Sequence, residues 1–205
     1  MDLESLVGRL SGGPGRGESL THLEIVEARP AREAAWPPWL DGSVRATFER
    51  VGVPAPWTHQ RAAADLVHQG RHTVVSTGTA SGKSLAYLLP GLHAIESARG
   101  PRGQRGAAVL YLAPTKALAQ DQLATLRRLE RSGLPGLRSS THDGDSTPEM
   151  REWARDHAEY VLTNPDMLHR SLLPGHARWS RFFGSLRYVV VDECHHYRGV
   201  FGAHV

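Results

Sequence analysis

Apolar residues along the chain alternate between short unbroken runs and helical repeats. Ala107 to Ala113 is continuously apolar, as a strand is when a parallel sheet buries both its faces. Leu118, Leu123, Leu126 and Leu129 then recur at helical spacing, which predicts a helix from Lys116 to Arg131, ended by Gly133-Leu134-Pro135-Gly136. The alternation continues with strands over Leu137 to Thr141 and Tyr160 to Leu162, and with another strand buried on both faces over Leu186 to Val191. Between them the pattern predicts helices over Pro148 to Ala154, capped by Thr147, and Asp166 to Leu172. Upstream, Val44, Phe48 and Val51 predict a short helix from Ser43. Ala62, Ala63, Leu66 and Val67 predict a second, capped by Thr58 and closed by Gly70. Thr73-Val74-Val75 reads as a strand and Lys83 to about Ala98 as a helix. The expected fold class is α/β, a parallel sheet with helices on both faces and ligand sites at the carboxyl ends of the strands.

The first 42 residues read differently. Ser11-Gly12-Gly13-Pro14-Gly15-Arg16-Gly17 signals a flexible loop, and Trp36-Pro37-Pro38-Trp39 an extended connector. Thr21 to Val26 alternates polar and apolar, as a short edge strand or a linker does. Trp36 and Trp39 offer faces for base stacking, but the area a tryptophan buries favours pinning the connector to the domain. The organisation expected is a flexible extension over 1–42 and one domain over 43–205. The chain stops soon after an apolar strand, and it reads as the front part of something longer.

Composition narrows the setting. A 40% hydrophobic, 22% charged chain of 205 residues can bury one good core. Its net charge of +3 is compatible with a phosphate-backbone partner and too small to demand one. A single cysteine, Cys194, excludes an intrachain disulfide and fits a reducing, cytoplasmic location. No stretch approaches the roughly 20 apolar residues of a membrane span, so no membrane association is expected.

Thr77-Gly78-Thr79-Ala80-Ser81-Gly82-Lys83-Ser84 lies between the Thr73–Val75 run and the helix that follows. Small residues let successive backbone N–H groups turn towards phosphate oxygens, and the following helix aims its positive end at them. Lys83 can reach the β- and γ-phosphates, and Ser84 can join the shell of a bridging Mg²⁺. The expected ligands are a nucleoside triphosphate and Mg²⁺. The phosphate-loop pattern begins with glycine, where this chain has Thr77; Gly78 supplies the freedom one place later. Gln60, one helix earlier, carries an amide able to read an adenine edge.

Tyr188 to Val191 delivers Asp192-Glu193-Cys194-His195 to the sheet edge. Adjacent strand residues point oppositely, so the two acids can take separate tasks: Asp192 holding Mg²⁺ and Glu193 deprotonating the attacking water. Cys194, His195 and His196 carry zinc-ligand atoms, but three consecutive residues do not converge easily on a tetrahedral ion. His195 instead links the nucleotide site to something outside it.

With both motifs in place, residues 55–205 resemble the first RecA-like domain of superfamily 2 helicases of the DEAD/DEAH-box type, in a DECH variant. Thr77–Ser84 resembles motif I and Asp192–His195 motif II. Pro114-Thr115-Lys116-Ala117-Leu118-Ala119-Gln120 resembles motif Ia, Thr163-Asn164-Pro165-Asp166-Met167-Leu168 motif Ib, and Gln60 the Q-motif glutamine. The resemblance implies a RecA-like P-loop NTPase fold, catalytic roles for Glu193 and Lys83, and nucleic-acid backbone contacts by Pro114, Thr115, Lys116, Thr163, Asn164, Pro165 and Asp166. The phosphate loop, His142-Asp143-Gly144-Asp145 and Tyr197-Arg198-Gly199-Val200-Phe201-Gly202 are most similar to DNA-repair helicases with a C-terminal cysteine-rich zinc domain, which favours DNA over RNA. Single-stranded or partially duplex DNA is the expected partner. A second RecA-like domain, beyond Val205, would complete the cleft for hydrolysis. The rival readings are a truncated or regulatory ATP- and nucleic-acid-binding module without motor activity, an RNA helicase, and a kinase built on the same loop but lacking an acceptor site.

Overall fold

A computed structural model describes residues 3–11, 22, 24, 32–78, 82–100 and 104–203. The chain divides into two units, Met1–Ala31 and Arg32–Val205. The first contains helix α1 (Leu3–Ser11), where Leu3, Leu6, Val7 and Leu10 recur at helical spacing. The glycine-rich stretch from Gly12 and most of the edge strand expected over Thr21–Val26 lie outside the described residues.

The second unit runs through α2 (Gly42–Arg50), α3 (Thr58–His68), α4 (Ser84–Ser97), β1 (Ala108–Leu112), α5 (Lys116–Gly133), β2 (Ser139–Thr141), α6 (Pro148–His157) and β3 (Tyr160–Thr163). It continues with α7 (Pro165–Met167), α8 (Ser180–Gly184), β4 (Leu186–Val191) and α9 (Gly199–Gly202). The strands pair in the order β2-β3-β1-β4, all parallel. β1 is central and buried throughout. Val109 and Tyr111 face a core built with Leu88, Leu89 and Leu92 of α4 and Leu123, Leu126 and Leu129 of α5. Ala108, Leu110 and Leu112 face the opposite core, with Ala154, Leu172, Trp179 and Phe182. Because successive strand residues alternate faces, a strand covered on both sides must be apolar at every position. Gly91 permits close approach of α4: a Cβ there would sit 3.3 Å from Val109 Cγ2.

One charge lies deep in this unit. The Glu159 side chain, 1% exposed, is held by Arg138 at 2.8 Å and Arg99 at 3.3 Å, and accepts from the Arg138 backbone N–H at 3.1 Å. These bonds join the starts of β2 and β3 to the end of α4 and offset the desolvation of the carboxylate.

The connector before α2 belongs with this second unit. Trp36 Nε1 donates to Pro54 O at 3.1 Å and Trp39 Nε1 to Asp65 at 2.7 Å, and both rings pack against the core. The tryptophans therefore pin the connector, with Trp39 stacked on His68 at 4.1 Å. Asp41, outside the predicted helix, caps α2 by accepting from Ser43 N at 2.8 Å.

Four local expectations are corrected. Thr73-Val74-Val75 is not a strand, and Val74 is 85% exposed. An extended run becomes a strand only when a neighbour takes its backbone hydrogen bonds, and no described strand lies beside this one. β4 is not buried on both faces: it lies at the sheet edge, with Val189 and Val191 exposed while Tyr188 and Val190 pack inward. The helix expected over Asp166–Leu172 is the single turn α7, capped by Asn164, followed by a π-turn over Leu168–Leu172. Finally, Thr58 is the first residue of α3 and does not cap it.

Candidate functional site

Parallel pairing brings the carboxyl ends of all four described strands to one edge. Pro114–Lys116 follows β1, His142–Ser146 follows β2, Asn164–Asp166 follows β3, and Asp192–His195 follows β4. Between β4 and the segment leading into the phosphate loop lies a cavity of about 670 Å³. Thr77, Lys83 and Tyr87 line it from one side, and Asp192, Glu193, Cys194 and His195 from the other. The structure thus brings together the two groups of residues that the sequence separates by a hundred positions. Thr79, Ala80 and Ser81 lie outside the described residues.

Gly82 has a positive φ of 63°, which turns the chain into α4, and Ser84 opens that helix. Lys83 Nζ donates to Thr77 O at a long 3.4 Å. Gln60 is buried beneath the loop. Its Oε1 accepts from Trp57 N at 2.7 Å and its Nε2 donates to Gly82 O at 2.8 Å, so the amide ties the start of α3 to the phosphate loop. Among the described hydrogen bonds, one N–H and one lone pair of this amide have no partner.

The acidic end is shaped by a tight turn. Asp192 N continues the ladder by donating to Leu112 O at 2.9 Å. Glu193 then takes a left-handed backbone, φ 46°, costly for a residue with a side chain and found at no other non-glycine among the described residues. The two acids therefore diverge through a turn, where the sequence had suggested strand alternation. Both oxygens of Asp192 have partners: Oδ1 accepts from Glu193 N at 2.9 Å, and Oδ2 accepts from the Tyr111 hydroxyl. Burial first, and neighbouring Tyr87 and Asp192 next, push the Tyr111 phenol well above its ordinary value, which keeps it a donor. Glu193 Oε2 lies 3.2 Å from His195 Nδ1. Among the described residues no cluster of three His, Cys, Asp or Glu could hold a metal ion by itself.

A second, smaller hollow of about 270 Å³ is lined by Lys116, Gln120, Thr141, Asp143, Asp145, Ser146 and Met150. Lys116 is exposed and pairs with Asp145 at 2.7 Å, which raises its pKa. Thr115 caps α5, its hydroxyl accepting from Leu118 N at 3.3 Å. Pro114 and Asp166 are half-buried, and Asn164 Oδ1 accepts from Met167 N at 2.9 Å. Thr163 and Pro165 are buried, and the Thr163 hydroxyl donates to His142 O at 2.6 Å. Those two side chains serve the fold.

His142, at the end of β2, is 2% exposed, packs edge-on against Trp179 and has Nε2 3.0 Å from Ser171 Oγ. Burial, then the Arg151 charge, lowers its pKa from 6.5 to about 4. The unfolded chain therefore binds a proton that the folded one excludes. This contribution to stability is complete above pH 6.5, declines as pH falls towards 4 and then levels off. A loss of about 3 kcal/mol is expected across that window. Urea unfolding at pH 7 and pH 4.5 checks it: His142→Gln flattens the dependence, and an unchanged dependence in that variant contradicts the assignment.

The sequence model of the DEAD/DEAH box helicases matches residues 57–205. The chain belongs to the DEAD/DEAH box helicase family. It is 40% identical over 204 residues to the ATP-dependent helicase YprA of Bacillus subtilis, covering 99% of this chain and 26% of that protein. It is 42% identical over 152 residues to the ATP-dependent helicase HRQ1 of Saccharomyces cerevisiae, covering 73% of this chain and 14% of that one. The solved structure of the DUF1998 helicase MrfA bound to DNA and AMPPNP superimposes with a TM-score of 0.83 at 36% identity, over 99% of this chain and 27% of that chain. The fold is thus the RecA-like α/β fold of this family, and the 205 residues span about a quarter of the length of YprA. Among the described residues, no helix is long and apolar enough to cross a membrane.

Proposed function

We propose that this chain is the N-terminal part of an ATP-dependent superfamily 2 DNA helicase or translocase, with residues 43–205 forming its ATP-binding domain. The observation that carries the reading is the shared cavity, with Lys83 and the segment entering the phosphate loop on one wall and Asp192 and Glu193 on the other. In this reading the loop amides from Gly78 to Lys83 bind the phosphates, Lys83 neutralises the β- and γ-oxygens, and Gln60 uses its remaining N–H on the base. Glu193 accepts the proton of the attacking water. Ser84 and Asp192 would hold Mg²⁺: both offer oxygen, the donor this ion prefers, and one carboxylate with phosphate and water oxygens suits its octahedral set. When bound, the ion supplies charge neutralisation between the β- and γ-phosphates.

Thr115, Lys116, Asn164 and Asp166 lie at the same sheet edge and form the proposed track for one nucleic-acid strand. The Lys116 ammonium and the Thr115 and Asn164 side chains suit phosphate-backbone contact, the Asp166 carboxylate can meet it only through a bridging water or cation, and none carries a base code. DNA is favoured because the MrfA structures with TM-scores of 0.83 and 0.85 hold DNA. We further propose that turnover needs a second RecA-like domain, whose arginine would contribute about 10³ to 10⁵ in rate, and that the protein acts in the cytoplasm.

Strand separation tests this reading. The full-length protein is expected to release a labelled strand from a tailed DNA duplex only with ATP and Mg²⁺, and to act poorly on an RNA duplex of the same sequence. Tight DNA binding with no strand release or translocation would favour the passive binding module, and preference for RNA the RNA helicase.

A further inference from the structure

We infer that Tyr111 is a positioning residue for the metal-binding carboxylate, a role that rests on the nucleotide-site reading above. Tyr111 sits in the middle of central strand β1, fully buried, where an apolar residue would fill the core equally well. Its hydroxyl instead donates to Asp192 Oδ2 across the β1–β4 pair. The other oxygen, Oδ1, is taken by the N–H of Glu193. A carboxylate with one donor on each oxygen has its plane fixed, and its remaining lone pairs have one direction in which to meet a cation.

Tyr87 extends the arrangement to the other wall. It projects from α4 one turn after Ser84, lines the nucleotide cavity, and its ring centroid lies 5.7 Å from that of Tyr111. The ring contact packs the helix that carries Ser84 against the tyrosine that holds Asp192.

The same core holds a matched control. Tyr160 on β3 is also buried, and its hydroxyl has no hydrogen-bond partner among the described residues. Tyr160→Phe thus removes the same atom from the same core without touching Asp192.

The test is the Mg²⁺ dependence of nucleotide binding, read by the fluorescence of methylanthraniloyl-ATP in the full-length protein titrated with Mg²⁺ from a chelated start. Tyr111→Phe is expected to raise the half-saturating Mg²⁺ concentration about tenfold, the low end of the loss when a partner of a metal ligand is removed. Binding without Mg²⁺ should stay at the wild-type level. Tyr160→Phe leaves the midpoint in place. A midpoint equal to wild type in Tyr111→Phe overturns the positioning role, as does an equal shift in Tyr160→Phe, which would reduce the effect to core packing. If the wild-type protein binds nucleotide with no response to Mg²⁺, the site reading itself fails and the positioning role with it.

Discussion

Glu193→Gln lowers ATP turnover of the full-length protein about 10³-fold, the scale of a lost general base, and leaves nucleotide affinity near that of the wild type. The amide matches the carboxylate in size and keeps an oxygen within reach of His195 Nδ1, 3.2 Å away. The left-handed backbone at this position, φ 46°, is no harder for glutamine than for glutamate, so the turn is retained. What the substitution removes is an acceptor basic enough to take a proton from water. Single-turnover hydrolysis with pre-bound nucleotide separates the effects: a slow chemical step with normal binding supports the assignment, and near-wild-type chemistry contradicts it.

Lys83→Ala acts at the opposite wall and on a different quantity. Its ammonium makes a single long contact among the described hydrogen bonds, 3.4 Å to Thr77 O, so truncation should scarcely affect folding. Bound nucleotide, however, loses a charge-assisted contact to its terminal phosphates, worth about 3 kcal/mol in a partly desolvated site and hence about 10² in affinity. Calorimetric titration with a non-hydrolysable ATP analogue checks this. A dissociation constant within about threefold of wild type would place the phosphates elsewhere. The paired variants thus separate chemistry from binding on the two walls of one cavity.

Much of the fold was legible because its signals are local. The unbroken apolar run at Ala107–Ala113 announces a doubly covered strand, and the leucines of α5 mark the helix that covers one side. Once strands and helices alternate, parallel pairing places the residues after each strand at one edge, which is how Lys116 and Asp192 come to neighbouring loops. Pairing itself was less legible. Thr73-Val74-Val75 has strand-like side chains, yet whether it becomes a strand depends on a partner that local sequence does not name. The exposure of Val189 and Val191 has the same origin, since an edge position is a property of the sheet and not of the strand. Gln60 was read for the base edge it could meet, and the structure shows what else its amide bonds, the Trp57 N–H and the Gly82 carbonyl. Tyr111 passed as core because one hydroxyl within an apolar run carries no positional signal. Its bond to Asp192 exists only when β1 and β4 lie side by side.

ATP turnover by the full-length protein with and without single-stranded DNA tests the central claim most directly, because it couples the cavity to the proposed nucleic-acid track in one number. The account predicts Mg²⁺-dependent turnover that rises at least about tenfold on adding DNA and is lost in Lys83→Ala and Glu193→Gln. Turnover that ignores DNA, or that survives both substitutions, would contradict it.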